Sequence, residues 1–182
     1  MKKLLTLCSV VLITVFQVSA QKYFTKNGII SFSAGTALED IDAINKSATS
    51  VIDAATGKIE LAVLIKGFEF KRDLMQEHFN ENYMESSKYP KAVFKGSIAE
   101  TINFNKPGVY NATVKGIMEI HGVKKETIAK GTIKVSAQSV QVISVFNLNT
   151  NDFKITIPGV VRDKISPLVK VSVNCNYTPF NK

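Results

Sequence analysis

Apolar and polar residues alternate along most of the chain after residue 20. In 58–65 most alternate residues are large and apolar, and the same period recurs in 130–137 and 169–177. Successive side chains of a β-strand point to opposite faces, so this period predicts strands with one buried face and one solvated face. Further strands are predicted over 28–34, 48–53, 91–100, 109–121 and 139–150.

Short turn sequences separate these predicted strands. The segments 53–57, 105–108 and 121–124 contain the Gly, Pro, Asn and Asp residues typical of tight connections. Eight short strands joined by such turns predict an all-β fold, either a sandwich or a closed antiparallel barrel. The barrel is the simpler arrangement, because closing the sheet removes its unpaired edges.

One segment, 71–84, departs from the two-residue period. Its apolar residues Met75, Phe79 and Tyr83 are four positions apart, and its acidic residues fall elsewhere on the helical wheel. This spacing predicts an amphipathic helix of about three to four turns. We expect the helix at one end of the barrel, either completing the core as a plug or covering a cavity mouth as a lid.

The first twenty residues have the layout of a secretory signal peptide. Lys2 and Lys3 precede an almost wholly apolar run over 4–16, and a Val-Ser-Ala sequence ends at Ala20. The apolar run is shorter than the about 20 residues that a membrane-spanning helix needs. We therefore predict cleavage after Ala20, export, and a single mature domain over 21–182.

The number and placement of charged residues bear on whether the chain binds nucleic acid or a membrane surface. The chain has 182 residues, with 23 Lys and Arg against 15 Asp and Glu, for a net charge of +8. The lysines are scattered rather than gathered with aromatic residues, so no nucleic-acid partner is predicted. They are expected to be solvated, or to favour a transient contact with an anionic membrane surface.

The two cysteines are not expected to be reactive in the mature protein. Cys8 lies in the signal segment, and Cys175 alternates with core positions, which predicts an inert buried thiol.

The sequence lacks the common motifs of catalysis. It contains no Gly-x-Ser-x-Gly, no His-Glu-x-x-His, no phosphate-binding loop and no dinucleotide-binding glycine motif. Of the two histidines, His78 has Glu77 and Glu81 nearby and is interpreted as part of a solvated helix face, while His121 falls in a predicted turn. No catalytic residue, metal site or cofactor is predicted.

Alternation also identifies side chains on the inner wall of a barrel. The small residues Ala92, Gly96 and Gly116 share the inward parity of their strands, and we expect them to leave room for a ligand. Gly67 is expected to shift the register of its segment so that the two phenylalanines after it turn inward. The candidate ligand-contacting residues are Leu61, Val63, Phe68, Phe70, Met75, Phe79, Tyr83, Phe94, Val114, Met118, Ile120 and Phe146.

Several motifs follow one another in a specific order. The segment LMQEHFNENYMES at 74–86 leads into KYPKAVFKG at 88–96, VKGIMEIHGV follows at 114–123, and FNL stands at 146–148. Their order and spacing resemble the YceI-like family of bacterial exported proteins, over nearly the whole mature chain. The resemblance implies a lipocalin-like barrel whose interior can hold a long isoprenoid or related lipid, in a periplasmic or secreted protein.

Two functions remain open from the sequence. The first is an exported, non-catalytic binding protein that holds an isoprenoid, a quinone or another lipid inside the barrel. The second is a packed barrel that acts as a structural or protein-interaction module of the cell envelope. An eight-stranded barrel is wide enough either to be filled by its own side chains or to hold one slim ligand, so the strand pattern does not separate the two.

Overall fold

The computed structural model of the protein describes residues 21–180. The predicted signal peptide, 1–20, lies outside the described residues, so the signal and its cleavage site stay predictions. The strands are β1 (Lys22–Gly35), β2 (Asp42–Asp53), β3 (Lys58–Leu64), β4 (Glu69–Phe70), β5 (Lys91–Ile98), β6 (Gly108–Ile120), β7 (Val123–Val135), β8 (Val140–Asn149) and β9 (Ile165–Pro179). The helical segments are α1 (Asp73–His78), a π-helical turn (Phe79–Tyr83) and three 3₁₀ turns (Ile65–Gly67, Thr150–Phe153 and Gly159–Val161).

The sheet is a closed antiparallel barrel. Its strands follow the order β1, β9, β8, β7, β6, β5, β3, β2, and β1 pairs with β2 to close the ring. The predicted fold class and all eight predicted strands are confirmed. The sequence missed β4, which pairs with Ala43 and Ile44 of β2, because a strand of two residues is too short to show a period.

The predicted turns lie where the strands reverse. The clearest is the connection between β6 and β7, in which Ile120 pairs directly with Val123. The two residues between them, His121 and Gly122, have φ angles of 52° and 72°. Two central residues with positive φ match the twist of an antiparallel hairpin, which favours glycine at one of them.

The helical segment predicted over 71–84 is present but shorter and of two kinds. It begins at Asp73 as α1 and continues as the π-helical turn to Tyr83. The change of type comes from a hydrogen bond that the Met84 N–H donates to the Phe79 carbonyl, five residues back. We call residues 73–83 the lid. In the described part of the chain, no helix is long and apolar enough to cross a membrane.

One end of the barrel interior is filled by side chains. Phe104, from the connection between β5 and β6, stacks on Tyr23 with ring centroids 5.6 Å apart. Tyr177 is 1% exposed and its hydroxyl donates to Ser50 Oγ at 2.9 Å. We call this the closed end; its buried core consists of Tyr23, Ile52, Ile59, Ile98, Phe104, Ala112, Ile133, Val135, Val140, Val142, Cys175 and Tyr177.

Two glycines allow β5 and β6 to approach each other closely. Gly96 and Gly116 are direct cross-strand partners, and a Cβ on Gly116 would lie 2.2 Å from the Lys95 carbonyl oxygen. A Cβ on Gly96 would lie 2.7 Å from the ring of Phe94. The expectation that these glycines leave room for a ligand is wrong, because the Phe94 ring and the facing backbone occupy the space.

Candidate ligand cavity

The other end of the barrel is hollow. A cavity of about 580 Å³ runs inward from this end, between the lid and the walls formed by β1, β3, β5, β6, β8 and β9. The volume lies within the range of about 300–1,000 Å³ typical of small-molecule sites. Almost all of the surface is aliphatic or aromatic. The interior is therefore packed at the closed end and open at the lid end, and not filled throughout as the second hypothesis expects.

Every residue predicted to face a ligand lies on the wall of this cavity. Ala92, expected to face inward as a small residue, lies there as well. Contact of these side chains with a ligand stays a prediction. The predicted residues on the wall are Leu61, Val63, Phe68, Phe70, Met75, Phe79, Tyr83, Phe94, Val114, Met118, Ile120 and Phe146.

Four phenylalanines form an aromatic cluster where the lid meets the wall. Phe79 of the lid lies 5.4 Å from Phe32, 5.8 Å from Phe68 and 5.0 Å from Phe70, measured between ring centroids. Phe32 also contacts Phe68 and Phe70, at 5.3 and 5.8 Å. Such tilted and edge-on pairs are the favoured geometries of aromatic rings. The cluster therefore fastens the lid to β1 and to the segment around β4.

The 3₁₀ turn Ile65–Gly67 explains how both Phe68 and Phe70 face inward. The predicted change of register falls at Gly67, but as a helical turn rather than as a bulge within a strand. Asn45 holds this turn, since its side-chain N–H donates to the Leu64 carbonyl at 3.0 Å. A Cβ on Gly67 would lie 2.6 Å from Asn45 Nδ2, so the turn needs a residue without a side chain here.

Several residues of the cavity wall are not among those predicted from the sequence. Phe32 alternates with Ile30 and Ala34 in β1, so its parity could have identified it. The segment 150–164 could not be found in this way, because it forms 3₁₀ turns and irregular chain without a regular period. Its apolar residues on the cavity wall are Phe153, Ile155, Ile157 and Val161.

Three charged residues border the cavity at its mouth. Arg72, directly before the lid, forms an ion pair with Glu39 Oε1 in the connection between β1 and β2. Lys164 Nζ, directly before β9, lies 3.9 Å from Glu39 Oε2. The Thr36 hydroxyl donates to the Asp163 carbonyl at 2.7 Å and joins two of the three segments. The mouth is thus a charged rim around an apolar interior.

A histidine tethers the chain that follows the lid. His121 Nε2 lies 2.8 Å from Glu85 Oε2, and Nδ1 lies 3.3 Å from the Phe153 carbonyl oxygen. The Tyr89 ring packs edge-on against the imidazole, with centroids 4.5 Å apart. The β6–β7 turn therefore holds the segment after the lid and the 3₁₀ turn at 150–153 in place. His78, by contrast, is exposed on the lid and borders the cavity.

Burial favours the neutral form of two ionisable side chains, Cys175 and Tyr83. Burial raises the pKa of the Cys175 thiol to about 11, and it raises the pKa of Tyr83 on the lid as well. A thiol with so high a pKa is a poor nucleophile at neutral pH, which agrees with the predicted inert thiol. Within residues 21–180, no three His, Cys, Asp or Glu side chains are grouped to hold a metal ion.

Solved structures that share this fold include the following three. A polyisoprenoid-binding domain from Saccharophagus degradans superimposes with a TM-score of 0.72 at 14% identity, covering 87% of this chain and 98% of that chain. Burkholderia cenocepacia BcnA gives 0.69 at 14% identity, covering 83% and 96%. The Campylobacter jejuni YceI protein gives 0.54 at 16% identity, covering all of both chains.

Comparison with sequences identifies the family. No curated protein matches the chain. The YceI-like domain, however, matches it over residues 15–177, which is most of its length. The chain therefore belongs to the YceI-like family.

Proposed function

We propose that the protein is an exported, non-catalytic binding protein that holds one long apolar molecule, such as an isoprenoid, a quinone or another lipid, inside the barrel. The observation that carries the proposal is the apolar cavity of about 580 Å³ under a lid. The Saccharophagus degradans domain, which has the same fold, is described as polyisoprenoid-binding. That description supports the ligand class proposed here.

Burial of hydrocarbon supplies the affinity. Each buried CH₂ group contributes about 0.8 kcal/mol, so a dozen chain carbons contribute on the order of 10 kcal/mol to binding before the opposing entropy terms are subtracted. Association and the ordering of a flexible chain remove a large share of this. The remainder supports useful binding without any charged or catalytic group in the interior.

The lid gives such a ligand a route in and out. Met75, Phe79 and Tyr83 face the cavity from the lid, and none of them is fully buried. The lid contacts the barrel through the aromatic cluster and through a hydrogen bond that the Phe70 N–H donates to Gln76 Oε1, rather than through the strand ladder. A movement of the lid would therefore open the mouth without breaking a backbone hydrogen bond between strands.

Export is the second part of the proposal, with the mature protein in the periplasm or outside the cell. The signal-peptide pattern over 1–20 supports it. Fractionation of the source cells, followed by N-terminal sequencing of the protein, tests it. A mature chain that begins at Gln21 in the exported fraction is expected, and an intact N-terminus in the cytoplasmic fraction would contradict it.

A transient membrane contact at the cavity mouth is the third part. Leu38, Leu74 and Val160 are 71%, 61% and 88% exposed, and each borders or neighbours a residue that lines the mouth. Three exposed aliphatic side chains around one opening are suited to shallow insertion into a lipid surface. Co-flotation with vesicles is expected for the mature protein, and Val160→Asn, which removes the apolar side chain without adding charge, is expected to weaken it. Equal flotation of both would place the contact elsewhere.

The experiment that tests binding starts from purified mature protein. Native mass spectrometry and organic extraction are expected to reveal a co-purified lipid. After removal of lipid, the protein is expected to take up one fluorescent polyprenyl or quinone analogue per chain. The absence of a co-purified lipid, together with no uptake of either probe by folded protein, would reject the proposal.

A further inference from the structure

We propose that His121 is a pH-sensitive switch. In its protonated form it joins the segment after the lid, 84–89, to the 3₁₀ turn Thr150–Phe153, and loss of the proton loosens both segments. Both border the ligand cavity, through Met84 and Phe153. Acid is therefore expected to slow the release of a ligand, and neutral to alkaline pH to speed it. The effect on release rests on the proposed lipid-binding function, whereas the switch itself is a property of the protein alone.

The first argument is the chemistry of the two groups that face the imidazole. Nε2 lies 2.8 Å from a carboxylate oxygen of Glu85, and Nδ1 lies 3.3 Å from the carbonyl oxygen of Phe153. An ionised carboxylate and a carbonyl can only accept hydrogen bonds, and a neutral imidazole has one N–H whereas the protonated ring has two. The His121 side chain is 11% exposed, so water has little room to replace a lost partner. Only the protonated ring satisfies both groups.

The second argument is where the unfavourable backbone conformations lie. Among residues 21–180, three residues other than glycine have a positive φ, namely Glu85 at 43°, His121 at 52° and Lys154 at 57°. Glu85 and His121 contact each other, and Lys154 directly follows Phe153, the other partner of the imidazole. Left-handed backbone is costly for such side chains and persists where surrounding contacts hold it. When the contacts of the imidazole weaken, the backbone therefore favours a rearrangement at these same sites.

The third argument is that strand pairing does not hold the two segments. The pairing of β8 with β7 stops at Gly131, and the rest of β8 pairs with β9 alone. The turn Thr150–Phe153 follows this unpaired part of β8 and contacts the β6–β7 turn through His121. Segment 84–89 lies between the lid and β5 and belongs to no strand. Both segments can therefore loosen while the barrel stays intact.

Other charged or titratable groups lie on the elements packed around the imidazole. These groups are Lys88, Tyr89, Glu119, Lys124, Lys125 and Asp152. Their lysines and carboxylates form ion pairs with one another or, for Lys88, with Glu85. Histidine is the side chain whose charge ordinarily changes between about pH 5 and pH 8. The response in this range is therefore assigned to His121.

The switch is tested first without a ligand. Hydrogen exchange of delipidated mature protein is measured by mass spectrometry at about pH 5.5 and about pH 8, on either side of the usual histidine titration. Protection factors correct for the intrinsic exchange rate at each pH, and peptides from the closed end serve as the internal reference. Because hydrogen bonds to charged groups are stronger than neutral ones, peptides over 84–89 and 150–153 are expected to be about three- to tenfold better protected at the lower pH. Equal protection at both would overturn the proposal.

Substitutions assign the effect to one histidine. His121→Asn removes the titrating group and keeps the hairpin, because asparagine followed by glycine is a favoured two-residue turn. Both segments are then expected to be weakly protected at either pH. Glu85→Gln is expected to make protection nearly independent of pH, because an amide N–H can donate to the unprotonated Nε2.

His78→Asn is the matched control, since His78 is the other histidine of the chain and is exposed on the lid. It is expected to keep the pH dependence of the unmodified protein. A pH dependence that disappears in His78→Asn and persists in His121→Asn would place the switch on the lid and overturn the assignment.

The consequence for binding is measured with an uncharged fluorescent analogue of a polyprenyl alcohol. Its dissociation, followed by stopped flow after addition of an unlabelled competitor, is expected to be about three- to tenfold slower at the lower pH, and equally fast at both pH values in His121→Asn. If the analogue binds but neither its dissociation nor the protection depends on pH, the switch is wrong while lipid binding stands. If no analogue binds and protection still depends on pH through His121, the proposed function is wrong while the switch stands.

Discussion

The ring of Phe79 lies 5.4 Å, centroid to centroid, from the ring of Phe32. Phe79 belongs to the lid and Phe32 to the barrel wall, so this pair joins the two parts of the molecule that enclose the cavity. Both side chains also line that cavity. A ligand chain that enters must therefore pack against the same rings that hold the lid closed, which couples occupation of the cavity to the position of the lid.

We expect Phe79→Ala to weaken binding of a polyprenyl probe by at least about tenfold, because the transfer energy of one buried aromatic side chain is about 1.5–3 kcal/mol. Phe180→Ala is the matched control. Phe180 is 54% exposed and packs edge-on against Phe24, away from the cavity. Equal loss of affinity in the two folded variants would contradict the placement of the ligand under the lid.

The closed end is expected to govern stability rather than binding. Phe104 is 8% exposed and stacks on Tyr23. Phe104→Ala is expected to lower the free energy of unfolding by about 3–5 kcal/mol, the usual cost of such a truncation in a core. Denaturant titration measures this loss, and probe affinity of the folded variant is expected to be unchanged. A large change in affinity with intact stability would reverse the roles assigned to the two ends.

The close approach of β5 and β6 predicts that two Gly→Ala substitutions differ in their effect on stability. In Gly116→Ala the new Cβ would meet the backbone of Lys95 at 2.2 Å and of Gly96 at 2.5 Å, so strands must shift and stability is expected to fall by about 1–3 kcal/mol. Gly159→Ala has no atom within 4 Å of the new Cβ. It is expected to be neutral or to stabilise by up to about 1 kcal/mol. Thermal unfolding of both variants decides the point.

The two histidines are expected to differ in their effect on the segment after the lid. His121→Ala removes the contacts to Glu85 and to the Phe153 carbonyl, so amides between residues 84 and 89 are expected to exchange their hydrogens faster. His78→Ala changes an exposed residue of the lid and serves as the control. Equal protection in both variants, measured by mass spectrometry of the corresponding peptides, would show that the tether is not needed.

The buried thiol predicts a dependence on alkaline pH. Burial raises the pKa of Cys175 from 9.0 to about 11, so its contribution to the free energy of unfolding is fully present below about pH 9 and is lost as the pH rises toward 11. The stability of Cys175→Ala is expected to depend less on pH in that window. At pH 8 a thiol reagent is expected to label Cys175 slowly in native protein and rapidly in urea. Rapid labelling of the native protein would contradict the burial.

The part of the fold that could be predicted from the sequence is the part with a regular hydrophobic period. In β3 and β6 one face is buried and the other solvated, so the period of two identified both the strands and their inward side chains. The four-residue spacing of Met75, Phe79 and Tyr83 predicted the helical segment that we call the lid, but not whether it plugs the core or covers a cavity. It could not show the π-helical turn, which depends on the hydrogen bond between Met84 and Phe79.

The sequence by itself determined which residues face inward, because alternation along a strand is a local property of the backbone. Only the tertiary structure decided whether the space between those residues is filled. Phe104 comes from a connecting segment and packs the closed end, while no comparable side chain fills the described space beneath the lid. The charged rim also depends on the tertiary structure. Glu39, Arg72 and Lys164 are far apart in the chain, and closure of the barrel brings them together.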